Sequence, residues 1–391
     1  MSVTEAFVPA ATAQAAPWRQ LEQSLRSLFF ERDEVIRGLL VALLARQHLV
    51  LLGPPGAAKS DLAETLCGAI GARFFNKTVN PLTSPDELLG PVSAKKLVEE
   101  DRYERHLAGM LGEAEIAVIN EIWKCNSATL NALLDVVNER RITNGDRVVP
   151  VPLQTMMATS NEMPDPDENL QALWDRFVLR YVVDYVKQDA SFDGLLSIGD
   201  RGGKSLQGAP QLSLADLTAA QQAAARVDIA PLRPLLRQLW LDARERLHVS
   251  VSDRRWVWFA GLVKAHAFLD GRAVAASDDL VILADALWAE PEQRRDVRRH
   301  ILLLCNPHLQ QMEDILDEAE TVYRQAIGAT EDQQSAAGME ANRKLKAAKD
   351  RLDHLADEVG TQGKSDAPLR EAAGKVAAWN REVARVCLGL E

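Results

Sequence analysis

Eight residues constrain this chain more than any others: Gly53-Pro54-Pro55-Gly56-Ala57-Ala58-Lys59-Ser60. They follow a short apolar run, HLVLL (His48 to Leu52), and precede a helical pattern from Lys59 to Ile70. An apolar run halted by Gly-Pro-Pro-Gly and resumed as a helix reads as a buried strand, a glycine turn and a helix. Backbone N–H groups of such a turn can close around phosphate oxygens, and the helix N-terminus adds a favourable dipole. Lys59 is then placed to reach β- and γ-phosphates, and the Ser60 hydroxyl to ligate Mg²⁺. A chance match to this pattern is on the order of 10⁻⁵ at average composition, so a plain Pro-Gly turn is the weaker reading. Ala58 stands where glycine is usual before the lysine, and a methyl group is tolerated there if φ is negative.

Composition narrows the class. With 391 residues the chain has room for two or three domains and a substantial core. The 56 acidic residues against 45 basic ones give a formal net charge of −11, and no long Lys/Arg run offsets it. Such a surface repels a phosphate backbone, which argues against nucleic acid as a partner. Cys67, Cys125, Cys305 and Cys387 lie far apart with no CxxC, as reduced thiols of a cytoplasmic protein do. The histidines (His48, His106, His248, His266, His300, His308 and His354) show no zinc-binding spacing. The first residues, MSVTEAFVPAATAQAAPW, lack the basic start and apolar core of a signal peptide. The longest apolar run, Leu39 to Ala45, is much too short to span a bilayer. A cytoplasmic protein without a membrane span is expected.

Residues 1–17, rich in Ala, Thr and Pro, read as a flexible N-terminal arm. From Trp18 to Arg46, Leu21, Leu25, Leu28, Val35, Leu39, Leu40 and Leu43 recur near helical spacing and predict one or two helices. HLVLL, IAVIN (Ile116 to Asn120) and MMATSN (Met156 to Asn161) read as strands. The helical stretches between them predict an α/β domain with a parallel sheet over 18–195. A link over 196–210 contains the Gly-rich GDRGGKSLQGAP. Residues 211–304 read as a small helical domain, with Ser213 and Ser277 as N-caps. In the tail, Leu345, Ala348, Leu352, Leu355 and Val359 step by threes and fours. So do Leu369, Ala372, Val376, Trp379, Val383 and Val386. With an amphipathic stretch at 308–327 they predict three packed helices over 306–391. The seams are either the core of that domain or a protruding arm for a partner.

GPPGAAKS, with alanine before the lysine, resembles the Walker A segment of MoxR-family AAA+ ATPases of the RavA type. Further segments match in the family's order: PLTSPDELLGPVSAKKL (81–97), RYERHLAGMLGEAEIAVINEIWKCNSATLNALLDVVNER (102–140), ATSNEMP (158–164), ALWDRFVLRY (172–181) and SDRRW (252–256). The resemblance covers roughly residues 20–300 and is highly specific. It implies an AAA+ P-loop core, a helical lid over 211–304, and ATP with Mg²⁺ bound by residues 53–60. It also implies a homo-oligomeric ring, most simply a hexamer, that acts on a client with a von Willebrand factor A-domain protein. RavA proteins carry a β-rich insertion in the C-terminal helical region, and no strand-rich segment is expected here between 330 and 391.

The resemblance also assigns residues. IAVIN followed by Glu121 has the strand and second acid of a Walker B segment, and Glu121 is the candidate to orient or deprotonate the attacking water. The family's first acid is replaced by Asn120, which can still hold a Mg²⁺-bound water but brings no charge. A unit charge about 4 Å from another is worth roughly 4 kcal/mol at an effective dielectric of 20. ATP binding should survive because Lys59 and the loop supply most of the phosphate contacts, while hydrolysis is slowed or takes help from an Asp or Glu elsewhere. Asn161, after the next strand, corresponds to sensor 1, although an isolated Asn there is commonly a turn residue. Arg176 and Arg180, read as one helical turn apart, are candidates for an arginine finger reaching a neighbouring subunit's ATP, Arg176 foremost. A local Asp175–Arg176 surface pair is the plainer alternative. Arg254, with Arg255 as its neighbouring alternative, corresponds to sensor 2, reaching from the lid to the γ-phosphate. Residues 87–112 resemble a hairpin inserted in helix 2. Residues 141–152, with an Asn-Gly turn, read as a second hairpin, and both are candidate substrate contacts facing a pore. Two rival functions stay open: a nucleotide-gated binding scaffold with weak hydrolysis, and a nucleic-acid motor.

Overall fold

The computed structural model describes residues 3–164, 168–200, 206, 208–305, 307–329, 331–361 and 366–389. They fall into two compact units, residues 1–294 and 295–391. In the first, α1 (Val3–Arg26) and α2 (Asp33–Ala45) precede β1 (His48–Leu52), α3 (Lys59–Ala69) and β2 (Phe74–Thr78). Then come α4 (Pro85–Leu89), α5 (Ala94–Glu100), β3 (Ile116–Asn120) and α6 (Ser127–Glu139). β4 (Arg141–Asn144) and β5 (Arg147–Pro150) lead to β6 (Thr155–Ser160), α7 (Glu168–Arg176), β7 (Phe177–Val182) and α8 (Asp189–Asp200). The unit closes with α9 (Leu214–Ala225), α10 (Arg233–Glu245), α11 (Asp253–Leu269) and a 3₁₀ stretch, Ser277–Asp285.

Five strands form a parallel sheet in the order β2-β3-β6-β1-β7. Every residue of β1 and β6 is buried, as expected of central parallel strands covered on both faces, so they read as continuous apolar runs. The two edge strands were not legible in the same way. β2 buries only Phe75, and β7 follows α7 with no glycine or proline to mark the change. Arg176 and Arg180 therefore do not share a helix: Arg176 ends α7 and Arg180 lies within β7.

The chain before Trp18, expected to be a loose arm, is helical from Val3. Ala15, Trp18, Leu21 and Leu25 recur at helical spacing and are all buried, so the apolar stripe begins before Trp18. Thr12 Oγ1 also donates to Gly271 O at 2.9 Å. The insertion at 87–112 is not a strand hairpin; it encloses α5 and is closed by a single antiparallel bridge, Val92 to Arg105. β4 and β5 do form the expected hairpin, with Gly145 and Asp146 between its last pair, Asn144 and Arg147. Asn144 Oδ1 accepts the Arg105 N–H at 2.6 Å, which ties the two insertions together. Gly145 has φ +67 and no room for a Cβ, which would lie 2.4 Å from Tyr103 O.

Ser213 caps α9, its hydroxyl accepting from Asp216 N. Ser277 does not cap; Ala276 takes that position and its N–H is held by the Asp279 carboxylate. The link expected over 196–210 starts inside α8, which runs to Asp200, and residues 201–205 and 207 lie outside the described residues. The second unit holds the rest of α12 (Arg294–Cys305) with α13 (Pro307–Ile327), α14 (Glu331–Thr361) and α15 (Ala367–Leu388). α12 groups with α13 through Arg298 Nε, 2.7 Å from Glu313 Oε1. Leu345, Leu352, Val359, Leu369, Val376 and Val383 fill one shared core, and Tyr323 stacks on Trp379 with ring centres 5.5 Å apart. The two seams are core, except that Val386 stays exposed and Leu355 is only partly covered. No strand lies among the described residues beyond 295.

Candidate nucleotide site

The turn from β1 into α3 is shaped by its neighbours. Gly53 N–H donates to Ser160 O at 2.9 Å, and a Cβ on Gly53 would lie 1.9 Å from Val183 O, so no larger residue fits. Ala58, as the N-cap of α3, has φ 56 and ψ 25, the left-handed region. That corrects the expected negative φ. The chain must reverse at this residue to enter α3, and the methyl group carries a strain of about 1–2 kcal/mol that glycine avoids. Lys59 Nζ donates to Gly53 O and, at 2.9 Å, to Pro54 O. Burial pulls its pKa down, Glu121 pulls up, and Arg32 adds to the lowering. Phosphate oxygens are stronger partners for this ammonium than the loop's own neutral carbonyls.

Asn120 ends β3 beside this turn. Its Oδ1 accepts from Ser60 Oγ at 2.8 Å and from Thr159 Oγ1 at 2.9 Å. Its Nδ2 donates to Asn76 Oδ1, also at 2.9 Å. A neutral dipole thus faces Ser60 where the family's acid would bring charge. Glu121 is left-handed, φ 57, and its Oε2 lies 2.9 Å from Lys124 Nζ. Asn161 follows β6, which runs between β3 and β1, and its side chain is exposed. The carboxyl edge of the sheet therefore gathers Gly53 to Ser60, Asn120, Glu121 and Asn161. Sequence reading missed Asn76, Thr159 and Lys124. Asn76 lies on the unread strand β2, and Thr159 and Lys124 sit inside quoted segments without a motif of their own.

Those donors fit a triphosphate with magnesium. Ser60 Oγ would ligate the metal, Asn120 Oδ1 would hold one of its waters, and Lys59 with the turn N–H groups would hold phosphate oxygens. Bound magnesium supplies neutralisation of phosphate charge.

The arginines stand elsewhere. Arg176 and Arg254 line a cleft of about 380 Å³ with Gln47, His48, Asn138, Arg140 and Trp258. His48 begins β1 and the phosphate turn follows its end. At roughly 3.3 Å per residue, a strand of that length puts the cleft on the order of 15 Å from the turn. Arg254, expected to reach from the lid to the γ-phosphate, thus lies at the edge away from this subunit's own turn. Arg176 donates to Asn138 Oδ1 and to Asp175 Oδ2, the latter at 3.0 Å, so the local pair with Asp175 exists. The guanidinium carbons of Arg176 and Arg254 lie 6.0 and 5.9 Å from the Trp258 ring centre. Burial lowers the Arg176 pKa and repulsion from Arg254 adds to it, against Asp175. Asp175 also receives the Ser252 hydroxyl at 3.3 Å and Arg255 at 3.9 Å, joining the end of α7 to the start of α11.

Arg180 and Arg255 are interior. Arg180 donates to Phe177 O and Trp174 O at 3.2 Å each and to Trp288 O, and lies over the Trp174 ring. Arg255 donates to Val178 O at 3.3 Å and to Ala286 O. Burial lowers the pKa of both, that of Arg255 to about 10 against the pull of Asp175. With its donors committed inside the subunit, Arg180 is not placed as a finger, nor Arg255 as a sensor.

A parallel sheet in this order, a glycine turn with Lys-Ser, and a helical lid define a P-loop ATPase of the AAA+ class. Residues 17–222 match the family model described as the MoxR domain in the MoxR-vWA-beta-propeller ternary systems. Residues 229–301 match an AAA lid domain. The chain belongs to the MoxR family of AAA+ ATPases. It is 35% identical to the uncharacterized protein MJ0079 of Methanocaldococcus jannaschii, over 78% of this chain and 77% of that one. It is 27% identical to Chaperone MoxR1 of Mycobacterium tuberculosis, over 74% and 77%. The crystal structure of an ATPase candidate from Cytophaga hutchinsonii superposes with a TM-score of 0.62 at 18% identity, covering 75% of this chain and 94% of that one. That likeness concerns the fold alone. No helix among the described residues is long and apolar enough to cross a membrane.

Proposed function

We propose that this chain binds ATP with Mg²⁺ at the 53–60 turn and hydrolyses it in a ring, a hexamer on the RavA-like reading. Each subunit completes its neighbour's site. The observation that carries this reading is the placement of Arg176 and Arg254 together at the sheet edge opposite their own turn. Cations in that cleft serve a phosphate only if a second copy presents one. Lys59 and the turn hold the phosphates, Glu121 orients the attacking water, and Asn161 aligns it. Arg176 and Arg254 of the next subunit offset the charge that develops on the transferred phosphoryl group. The work of the ring is to remodel or mature a client protein with a von Willebrand factor A-domain protein, a partner that the matched family's description supports.

Mixing two inactive variants tests this. Lys59→Ala lacks the phosphate grip and Arg176→Ala lacks the finger. In an equal mixture about a quarter of interfaces join an intact turn to an intact finger, so turnover should reappear. A mixture no more active than its components sinks the shared-site reading.

A second reading has its own observation. The Asn120 amide is held by Ser60, Thr159 and Asn76, a neutral network beside the metal position. It supports a ring that switches partners on ATP occupancy with slow cleavage. Asn120→Asp should raise turnover about tenfold if the missing charge limits hydrolysis. An unchanged steady-state rate means that it does not.

A further inference from the structure

Sixteen large apolar side chains are exposed among the described residues, and five fall within residues 182–196: Val182, Tyr185, Phe192, Leu195 and Leu196. That segment flanks the phosphate turn. Val183 N–H donates to Leu52 O at 2.7 Å, and the Tyr185 hydroxyl donates to Pro55 O at 3.0 Å. Glu31 accepts the N–H groups of Lys187 and Gln188, fixing the start of α8. Gly194 rests on Phe30, whose ring a Cβ there would meet at 2.4 Å.

α8 thus carries its amphipathic stripe outward. Phe192, Leu195 and Leu196, at i, i+3 and i+4, share one face, and they are 55%, 40% and 55% exposed. Gly194 lies on the other side. α8 contains Asp189, Asp193 and Asp200 and no basic residue. At the opposite edge of the sheet, α11 presents Arg254, Val257 and Trp258, also at i, i+3 and i+4, and Val257 is 73% exposed. The turn side is acidic and apolar. The α11 side is apolar, with Arg254 and Asp253 exposed beside a cleft lined by Arg140, Arg176 and Glu139, so the two match in apolar character and, through the surplus of arginine, in charge.

We propose that the outward face of α8 is the docking surface for a second copy of this chain, which seats its α11 face, Arg254 with Val257 and Trp258, against Phe192, Leu195 and Leu196. The proposal rests on the shared-site reading and adds where the two copies touch. The contact is heterologous, one edge of a copy against the other edge of the next, which is the arrangement that generates rings. It buries exposed apolar area at the position where Arg176 and Arg254 must approach the phosphates.

Sedimentation of the full chain with ATP and Mg²⁺ tests it, using wild type, a Phe192→Asp/Leu196→Asp double variant and Val257→Asp. Binding of a fluorescent ATP analogue serves as the check that each variant is folded. Loss of a central apolar anchor typically weakens association by roughly 30-fold or more. Both variants should therefore stay monomeric at concentrations where wild type assembles, while binding the analogue as wild type does. A cross-link between Leu195→Cys on one copy and Val257→Cys on another, dependent on ATP, should form in mixtures. Normal assembly of the α8 variant overturns the proposal, including the case in which it loses some other partner, because the face then belongs to that partner. If it assembles normally while the Lys59→Ala and Arg176→Ala mixture regains turnover, only the docking surface is wrong. A wild type that stays monomeric ends both readings.

Discussion

The two edges of the parallel sheet are built in opposite ways. At the carboxyl edge, the phosphate turn is one contiguous segment, and Asn120, Glu121 and Asn161 each follow or end a neighbouring strand. Its working groups are main-chain N–H donors and short polar side chains. At the amino edge, the cleft draws on the start of β1, the end of α6, the end of α7 and the first turns of α11. Its working groups are guanidiniums packed around an indole. On the shared-site reading, the first edge grips a phosphate chain by itself and the second offers its cations to a phosphate held by a neighbouring copy. Binding and rate should therefore separate between the edges.

The largest expected effect probes that separation. Arg176→Ala should lower turnover on the order of 10³-fold or more and leave fluorescent-ATP affinity intact, whereas Lys59→Ala should lose both. Equal loss of affinity in the two variants would falsify the division of labour.

A smaller effect tests the floor of the cleft. His48 Nδ1 accepts the Met156 N–H at 3.0 Å, so its Nε2–H faces Val137 O at 3.2 Å, an arrangement open only to the neutral ring. Burial foremost, then Arg140, pushes its pKa down from 6.5 to about 3, against the Val137 bond. The folded value lies below the unfolded one, so this stability is complete above pH 6.5 and is lost as pH falls toward 3. The loss should reach about 3 kcal/mol by pH 4. Urea unfolding at pH 7 and pH 4 measures it, and His48→Leu should remove this part of the acid sensitivity. An equally steep loss in the variant would place the cause elsewhere.

The smallest effect sharpens the picture of the turn. Ala58→Gly should relieve the left-handed strain and raise stability by about 1 kcal/mol, read by chemical denaturation. A variant less stable than wild type would show that the alanine sits there without strain.

How much was readable follows the same division. Central strands covered on both faces appear as apolar runs, which is why β1, β3 and β6 were found and why the carboxyl edge was legible. β2 and β7 were missed because β2 buries only Phe75 and β7 begins directly at the end of α7. That single miss made Arg180 look like a helical neighbour of Arg176. Arg254 and Arg255 are adjacent in sequence, yet one is exposed and the other 3% exposed; only the direction of α11 tells them apart. The Ala58 φ was misjudged because a motif does not report the backbone reversal required ahead of α3. The outward stripe of α8 was hidden inside a stretch that reads as the end of one domain and the start of a link.

The two interior arginines have a mechanical meaning. Arg180 and Arg255 reach from β7 and α11 to the carbonyls of Trp288 and Ala286, just past the 3₁₀ stretch of the lid. Swinging that stretch away would cost Arg180 its bond to Trp288 O and Arg255 its bond to Ala286 O, about 1.5–3 kcal/mol apiece. Slow hydrogen exchange over 286–288, insensitive to ATP, is the expected signature. On the shared-site reading, a movement triggered at the phosphate turn would carry β7 and the end of the 3₁₀ stretch together through these two arginines.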